Sequence, residues 1–279
     1  MTLLNVPQSI IEENVFTALK EDIGDGDITA ELISADNISL ATVISREDCI
    51  FCGLDWFEET YRQIDHEVLI DWSVDDGEKI DAGQVICTIS GSSQKIVTGE
   101  RTALNFVQTL SATATLANKY AAAVEDTDTK ILDTRKTIPG LRMAQKYAVS
   151  CGGCENHRIG LFDAFLIKEN HINACDGIQN AINAARFYNP ELSIEVEVEN
   201  LDELQQAIDA GTDRALLDNF DIVTLKQAVD ICKGKISSEA SGNITLDNIN
   251  EVAQTGVNFI STGALTKDIK AIDLSMRFD

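Results

Sequence analysis

Six lysines and arginines are concentrated between residues 131 and 171, although the chain of 279 residues carries a formal net charge of -24. The same segment holds only four Asp and Glu and two of the three histidines. Cations gathered within a repelling surface create a local field that attracts a small anion. Arginine suits carboxylates because its planar fork makes paired hydrogen bonds of about 1.5–3 kcal/mol each. The segment therefore predicts a binding site for a small ligand with several negative charges.

Polar groups follow a series of β-rich runs at 131–133, 164–168, 194–199, 215–218, 236–241 and 259–262. The first two runs end in cations and the middle two end in carboxylates. The last two lead into small glycine-containing loops, whose backbone N–H groups can hold a phosphate. Together they predict a phosphorylated, polyanionic substrate and a divalent metal bridged to carboxylates. The groups at these ends are Asp133-Thr134-Arg135-Lys136, Lys168-Glu169-Asn170-His171, Glu197 with Glu199, Asp218-Asn219, Ser241-Gly242-Asn243 and Thr262-Gly263-Ala264.

The spacing of these runs predicts the elements that position the polar groups. Between the later runs lie amphipathic helical patterns that stop at Gly211, Gly234 and Gly256, at intervals of about 20 residues. This rhythm is typical of parallel strands joined by right-handed crossovers. Six such units favour an α/β fold with a β/α barrel, complete or incomplete, over a doubly wound sheet. In barrels of this type the carboxyl ends of the strands meet at the active site.

The first hundred residues follow a different pattern. Helical periodicity is predicted around Ile10 to Leu19 and over 54–64, and an alternating strand over 38–47. Two glycine-marked turns between short β runs predict hairpins over 68–91. A long helix rich in Ala, Leu and Thr is predicted from Glu100 to Val124.

Composition excludes several classes of protein. With 44% apolar residues and three prolines the chain is typical of a compact globular protein. No run of 18 apolar residues predicts a membrane span, and the N-terminal residues do not have the pattern of a signal peptide. A pI near 4.3 argues against binding to nucleic acid or to an anionic membrane. Seven cysteines at scattered spacings favour reduced thiols and a cytoplasmic location.

Several ordered motifs then carry a resemblance to a known family. They are "EDIGDGDITAELI", "GERTALNFVQTLSATAT", "DTRKTIPGLRMAQKYAV", "GGCENHRIGLFDAFLIKENH", "IEVEVENLDEL", "LLDNF" and "EASGNITLDNI". On these residues the chain resembles the quinolinate phosphoribosyltransferases (nicotinate-nucleotide pyrophosphorylases, carboxylating), a type II phosphoribosyltransferase family. The resemblance extends over nearly the full length.

The resemblance implies an N-terminal α/β sandwich over 1–105, a barrel over 106–269 and a tail, 270–279, that packs on the first domain. It implies a homodimer with shared active sites and leaves open a hexamer. The implied reaction joins quinolinate to phosphoribosyl pyrophosphate (PRPP) with Mg²⁺. The products are nicotinate mononucleotide, pyrophosphate and carbon dioxide, a step of de novo NAD biosynthesis.

The resemblance also implies a role for individual residues. Arg101 reaches quinolinate from the neighbouring subunit. Glu197 and Asp218 bind ribose hydroxyls or Mg²⁺, directly or indirectly, and stabilise a cationic, oxocarbenium-like ribose. The quinolinate carboxylates and PRPP phosphates are held by Arg135, Lys136, His157, Arg158 and Lys168. The 5′-phosphate is taken by Ser241, Gly242, Asn243 and Gly263, with Thr134, Thr262 and Ala264 also in the binding set. Lys136, Lys168, Glu197 and Asp218 form the implied catalytic set.

Alternative interpretations stay open at this point. The enzyme could be a related type II phosphoribosyltransferase with another acceptor, such as nicotinate. An aldolase with a Schiff base at Lys168 is the alternative of a different class, and a binding or scaffold protein is a third. His171 is left unassigned, and of the alternating Glu195, Glu197 and Glu199 only Glu197 is assigned a role.

Two cysteines in the cationic segment also leave a question. Cys151 and Cys154 have the spacing of a metal or redox pair, but no second cysteine pair or suitable histidine accompanies them. Cys154 stands where the resembled family usually has a glycine. If that position requires a positive φ, cysteine costs about 1 kcal/mol or more.

Overall fold

The computed structural model describes residues 3–278. The described chain divides into two compact units, each discontinuous in sequence. The first comprises the described parts of Met1–Asn118, Thr137–Gly153 and Leu265–Asp279, and the second comprises Lys119–Lys136 and Cys154–Ala264. The predicted boundary between residues 105 and 106 falls inside one helix, because the long helix runs continuously over Ser93–Ala122.

The first unit is built on a four-stranded antiparallel sheet with helices. Its strands are β1 (Ile38–Ser45), β3 (Leu69–Trp72), β5 (Val85–Ser92) and β12 (Leu274–Phe278), in the order β12-β1-β5-β3. The short strands β2 (Cys49–Ile50) and β4 (Lys79–Ile80) form a separate pair. Its helices are α1 (Gln8–Ile23), α2 (Leu54–Ile64), most of α3 (Ser93–Ala122) and α4 (Arg142–Cys151).

The hairpins predicted over 68–91 are wrong in their pairing. β3 pairs with β5, and β4, which lies between them in sequence, pairs with β2 instead. The turn signals at Gly77 and Gly83 were correct locally, because both residues have a positive φ, 88° and 87°. A turn motif predicts a local change of direction, whereas strand pairing depends on residues distant in sequence.

The second unit is a sheet of six parallel strands in the order β6-β11-β10-β9-β8-β7. The strands are β6 (Lys130–Leu132), β7 (Phe165–Ile167), β8 (Ile194–Val198), β9 (Arg214–Asp218), β10 (Ser237–Ser241) and β11 (Phe259–Ser261). The connections carry α5 (Glu169–Ala174), α6 (Ile178–Tyr188), α7 (Leu201–Asp209), α8 (Ile222–Cys232) and α9 (Ile249–Ala253); α10 (Ala264–Lys267) follows β11. The predicted α/β fold with a parallel β/α domain is confirmed. Within residues 3–278 the hydrogen-bonded ladder does not close between β6 and β7, so the sheet has the incomplete form of a barrel.

Local capping and burial explain why the repeating helices start where they do. The Asn200 side chain accepts a hydrogen bond from the N–H of Glu203, and the Asp221 side chain accepts one from Thr224. Each satisfies an orphan N–H at the first turn of its helix, worth about 1 kcal/mol. Because each capped helix directly follows a strand, the strand's last residues lie at the carboxyl edge of the sheet.

The C-terminal tail contributes the edge strand of the first unit. β12 pairs antiparallel with β1, with Leu274 opposite Ser45 and Phe278 opposite Ala41. Leu274 is buried in the same apolar cluster as Ala41 and Val43. The tail therefore completes this sheet by backbone pairing and by burying an apolar side chain.

The described helices include none with the length and apolar character needed to cross a membrane. All seven cysteines are free thiols, and all but Cys175 are buried.

We predict that Leu274→Ala destabilises the first unit by about 2 to 5 kcal/mol, because it removes buried methyl groups and leaves a cavity. Arg277→Ala, an exposed change on the same strand, is the matched control. Urea unfolding followed by tryptophan fluorescence is the measurement, because Trp56 and Trp72 both belong to this unit. Equal unfolding midpoints for the two variants would contradict a packing role for the tail.

Candidate active site

Two arginines at the carboxyl edge of the parallel sheet lie within electrostatic range of each other. Arg135 follows β6, and its Nε is buried with no hydrogen-bond partner among the described residues. The pKa of Arg158 is lowered, first by burial and then by repulsion from Arg135. One Arg158 nitrogen, Nη1, donates to the carbonyl of Ala164 at 3.1 Å, which fixes the direction of the side chain. Two neighbouring guanidinium groups with an unused donor form a site that an anion would complete.

His157 is held between these cations and the interior of the unit. Its backbone N–H donates to the buried carboxylate of Asp133 at 2.8 Å. Its ring Nδ1 accepts a hydrogen bond from the backbone N–H of Arg158 at 2.8 Å, so the ring proton must be on Nε2. Nε2 then donates to Oε2 of Glu195, also at 2.8 Å. The ring is therefore a fixed support for the backbone of Arg158.

His157, Glu195 and Glu239 are close enough in space to be metal ligands, but the hydrogen bonds favour a different role. A metal bound at Nε2 would require the proton on Nδ1, where the Arg158 N–H already points. The pKa of Glu239 is raised to about 7, by burial and then by Glu195, and burial also raises that of Glu195. Nε2 of His157 also lies 3.6 Å from Oε1 of Glu239, and Oε1 of each glutamate is buried with no hydrogen-bond partner among the described residues. A proton on Glu239 would lower the negative charge of this buried pair.

Arg214 compensates the remaining negative charge of this buried pair. Its Nη1 lies 3.1 Å from Oε2 of Glu239, and its guanidinium carbon lies 3.9 Å from the centre of the Phe259 ring. Stacking on an aromatic face suits a weakly hydrated cation of this kind. Arg214, Glu239, Glu195 and His157 thus form one cluster of hydrogen bonds and ion pairs, which we call the interior network.

Sequence reasoning missed most of the interior network. Glu195 was left without a role beside Glu197, whereas the structure buries it to 5% exposure. The available signal was alternation along β8, which places Glu195 on the same strand face as Glu197. Glu239 and Arg214 were assigned no role, because their ion pair depends on the register between two strands, β9 and β10.

A second group joins lysines and carboxylates at neighbouring strand ends. The Lys168 ammonium makes a hydrogen-bonded ion pair with Oε2 of Glu197. The pKa of Asp218 is raised, first by burial and then by Glu197, while Lys168 and Lys136 act in the opposite direction. Asp218 therefore lies within electrostatic range of the other three predicted residues. Two nearby carboxylates, of which Asp218 has the raised pKa, form a site that favours a cation.

The loop after β10 contains the predicted Ser241, Gly242 and Asn243. Gly242 has a φ of 98°, and a Cβ there would overlap Oδ1 of Asn219, so only glycine fits. Asn243 follows with a φ of 51°. The loop therefore has a tightly defined backbone that lies next to the end of β9.

The loop after β11 lies beside the segment after β6. A Cβ on Gly263 would stand 2.7 Å from Cδ of Lys136 and 3.5 Å from Oγ1 of Thr134. Oγ1 of Thr134 accepts the N–H of Lys136 at 3.1 Å, and Oγ1 of Thr262 accepts that of Ala264 at 3.2 Å. Close backbone approach at Gly263 thus brings the last predicted loop beside Lys136.

Of the remaining residues, one belongs to the other unit and one has a role in the fold. Arg101 belongs to the first unit, where it is exposed on α3. His171 accepts the N–H of Lys168 through Nδ1 at 3.0 Å and so caps the start of α5, which is a structural role.

The two cysteines of the cationic segment do not form one metal site. Cys151 lies beside Cys52 and Asp76 in the first unit, whereas Cys154 belongs to the second. The positive φ in this loop, 94°, belongs to Gly153, and Cys154 is not among the described non-glycine residues with a positive φ. The conditional strain at Cys154 therefore does not arise.

Cations, paired carboxylates and small loops at the carboxyl edge of a parallel sheet define an enzyme that acts on small anionic molecules. Comparison with known families agrees. Residues 27–111 match the quinolinate phosphoribosyl transferase N-terminal domain, and residues 113–277 match the C-terminal domain of the same family.

Individual relatives agree over nearly the whole chain. A probable nicotinate-nucleotide pyrophosphorylase (carboxylating) of Bacillus subtilis is 40% identical, covering 92% of this chain and 89% of the relative. The structure of the nicotinate-nucleotide pyrophosphorylase from Francisella tularensis is 50% identical with a TM-score of 0.96, covering 99% of this chain and 98% of that one. That of Ehrlichia chaffeensis is 34% identical with a TM-score of 0.93, covering 99% and 100%. The chain belongs to the quinolinate phosphoribosyltransferase family.

We predict that Glu239 makes stability depend on pH. Between 4.5, its ordinary pKa, and about 7, only the folded chain keeps the proton. The free energy of unfolding therefore falls as pH rises through this window, by up to about 3 kcal/mol. Glu239→Gln has no proton to release, so its urea midpoint should fall less between these pH values, measured by circular dichroism. The exposed change Glu191→Gln is the control, and an unchanged pH slope in Glu239→Gln would refute the assignment.

Proposed function

We propose that this protein transfers the phosphoribosyl group of PRPP to quinolinate and releases pyrophosphate and carbon dioxide, giving nicotinate mononucleotide. The observation that carries the acceptor is the Arg135–Arg158 pair, with its buried, unpartnered Nε. Quinolinate has two adjacent carboxylates, which match two guanidinium groups that lie within electrostatic range of each other. A monocarboxylate would leave one of these repelling cations uncompensated.

The donor fits the remaining groups. Lys136 and Lys168 would neutralise the phosphates of PRPP, including the leaving pyrophosphate. As the bond to pyrophosphate breaks, positive charge develops on the ribose, and Glu197 and Asp218 would stabilise it. The glycine loops after β10 and β11 would hold the 5′-phosphate on backbone N–H groups. In this proposal, polar groups at the ends of all six strands bind one of the two substrates.

Decarboxylation follows from the charge of the product of transfer. Once the ring nitrogen carries the ribose, it is a positively charged pyridinium. Loss of carbon dioxide leaves the electron pair of the broken carbon–carbon bond at the ring carbon, where the cationic nitrogen stabilises it. A proton then adds at that carbon. The second carboxylate stays bound by an arginine and keeps the ring in place.

Mg²⁺ is the proposed metal. The donor set fits it, because Glu197 and Asp218 offer oxygen ligands and burial with mutual repulsion raises the Asp218 pKa. When bound, Mg²⁺ would neutralise charge on the pyrophosphate oxygens. The protein's own contribution is to orient the two carboxylates from adjacent strands, β8 and β9.

A shared site and a reducing compartment complete the proposal. Arg101 is an exposed cation on α3, available to reach the site of a second copy in a homodimer. The free thiols of all seven cysteines support a cytoplasmic location.

The Schiff-base alternative is weakened by one contact. Lys168 is ion-paired with Glu197, and this contact would have to break before the amine could attack a carbonyl carbon. Another acceptor remains the closer alternative, because a related transferase would share the PRPP groups.

We predict that incubation with PRPP and Mg²⁺ releases carbon dioxide and forms nicotinate mononucleotide when quinolinate is added. Nicotinate in its place should give little product, because it fills only one arginine. Products are separated by chromatography, and carbon dioxide is trapped from labelled quinolinate. Turnover of nicotinate alone would establish the other-acceptor alternative, and borohydride trapping of Lys168 with a carbonyl substrate would establish the aldolase.

We also predict that Arg101→Ala and Lys136→Ala each abolish the activity in a homogeneous protein. If one subunit supplies Arg101 to the other, mixing the two variants creates some sites with both wild-type residues. Activity should then return to at most about a quarter of the parent value by random mixing. Mass spectrometry of differently tagged subunits confirms exchange, and no recovery after confirmed exchange would contradict a shared site.

A further inference from the structure

Two asparagines adopt left-handed backbone conformations side by side at the ends of β9 and β10. Asn219 has a φ of 57° and Asn243 a φ of 51°. Such conformations are uncommon outside glycine, although asparagine tolerates them best. Asn219 directly follows Asp218, and Asn243 lies in the loop proposed to hold the 5′-phosphate. The fold alone does not require either conformation, because among the described residues no non-glycine residue with a positive φ directly follows any other strand of this sheet.

The Asn219 side chain joins these two strand ends. Its Nδ2 donates to Oδ2 of Asp218 at 2.8 Å, and its Oδ1 accepts from Nδ2 of Asn243 at 3.1 Å. Because a carboxylate can only accept, the first bond fixes which end of the amide is which. The backbone N–H of Asn219 also donates to the carbonyl of Ser241 at 2.9 Å.

The Asn219 side chain is packed tightly against the loop after β10. Oδ1 of Asn219 lies where a side chain on Gly242 would begin, so the loop backbone rests directly on the amide. We call the set Asp218, Asn219, Gly242 and Asn243 the Asn219 clip. One oxygen of Asp218 is committed to the clip, which sets the direction of the carboxylate.

We propose that Asn219 is a positioning residue that sets the distance between the 5′-phosphate loop and the Asp218 carboxylate. The inference rests on the proposed function and deepens it. The 5′-phosphate and the ribose hydroxyls belong to one small molecule, so their separation is nearly constant. A protein that binds both ends at once must match that separation, and an error of about 1 Å can cost about 100-fold in rate. The clip supplies this match with a single amide.

The clip acts on the donor and not on the acceptor. The arginine pair lies on other segments: Arg135 follows β6, and Arg158 lies in the loop before β7. Neither arginine shares a described hydrogen bond with Asn219. Loss of the amide should therefore raise KM for PRPP and lower kcat, while KM for quinolinate stays unchanged. A residue needed only for folding would affect both substrates alike.

The first test uses Asn219→Gly, which keeps the left-handed backbone accessible and removes the amide. We expect KM for PRPP to rise about tenfold or more, with KM for quinolinate within about twofold of the parent. Asn219→Asp should be more severe, because it places a second carboxylate against Asp218. Asp176→Gly is the matched control: Asp176 also has a φ of 57°, is exposed, and lies outside the proposed site.

A double-mutant cycle tests the shared bond. Asn243→Gly removes the partner amide, and it should cause a smaller loss of the same kind. Since Asn243 acts through Asn219, the double variant should be no worse than Asn219→Gly alone. Additive losses, or equal increases of KM for both substrates, would overturn the proposal. Circular dichroism and unfolding midpoints establish that each variant is folded.

Direct titration of PRPP separates this inference from the proposed function. It reads donor binding without any acceptor or turnover. If the parent protein binds PRPP but does not convert quinolinate, the proposed function is wrong. The PRPP affinities of the variants then still test the Asn219 clip. Equal PRPP affinity in the parent and Asn219→Gly would overturn the clip alone. A parent that does not bind PRPP would overturn both proposals.

Discussion

The parallel hydrogen-bond register of six strands is the constraint on which the site depends. Each strand follows its neighbour in the same direction, so every carboxyl end reaches one edge of the sheet. Glu197 and Asp218 come together because β8 and β9 are paired with Glu197 opposite Leu216. A slip of one residue between these strands would put the two carboxylates on opposite faces of the sheet. The register of the backbone hydrogen bonds thus determines which charged residues are neighbours.

Charge compensation explains how this edge can remain folded without its substrates. In the interior network Arg214 compensates Glu239, whose raised pKa favours its protonated form, and at the strand ends Lys168 compensates Glu197. The arginine pair is different, because Asp163 and Glu195 offset only part of the burial of Arg158 and its repulsion from Arg135, and Nε of Arg135 has no described partner. Incompletely compensated charge of this kind is destabilising in the free protein and becomes favourable when an anion binds. Relief of this repulsion and of the unused donor therefore contributes to the affinity of the site for an anion.

The differences between expectation and structure have a common cause. The hairpins over 68–91 were mispaired, Glu195 was left without a role, and Asn219 was noted only as a strand-end residue. Each error concerns a partner distant in sequence: β2 for β4, Glu239 for Glu195, and Asn243 for Asn219. Local patterns describe the direction and exposure that a segment prefers. They do not state which other segment will satisfy its polar groups.

The sequence by itself determined the α/β class, the six strands of the second unit and the family, because periodicity, turn residues and ordered motifs are local properties. It also predicted which cations and carboxylates follow the strands, since strand ends can be recognised along the chain. Only the tertiary structure decided that Glu195 and Glu239 share a buried network, that His157 supports Arg158, and that Asn219 joins two loops. These contacts depend on strand order and on side-chain positions accurate to a few tenths of an ångström. Both arise only when the whole sheet is assembled.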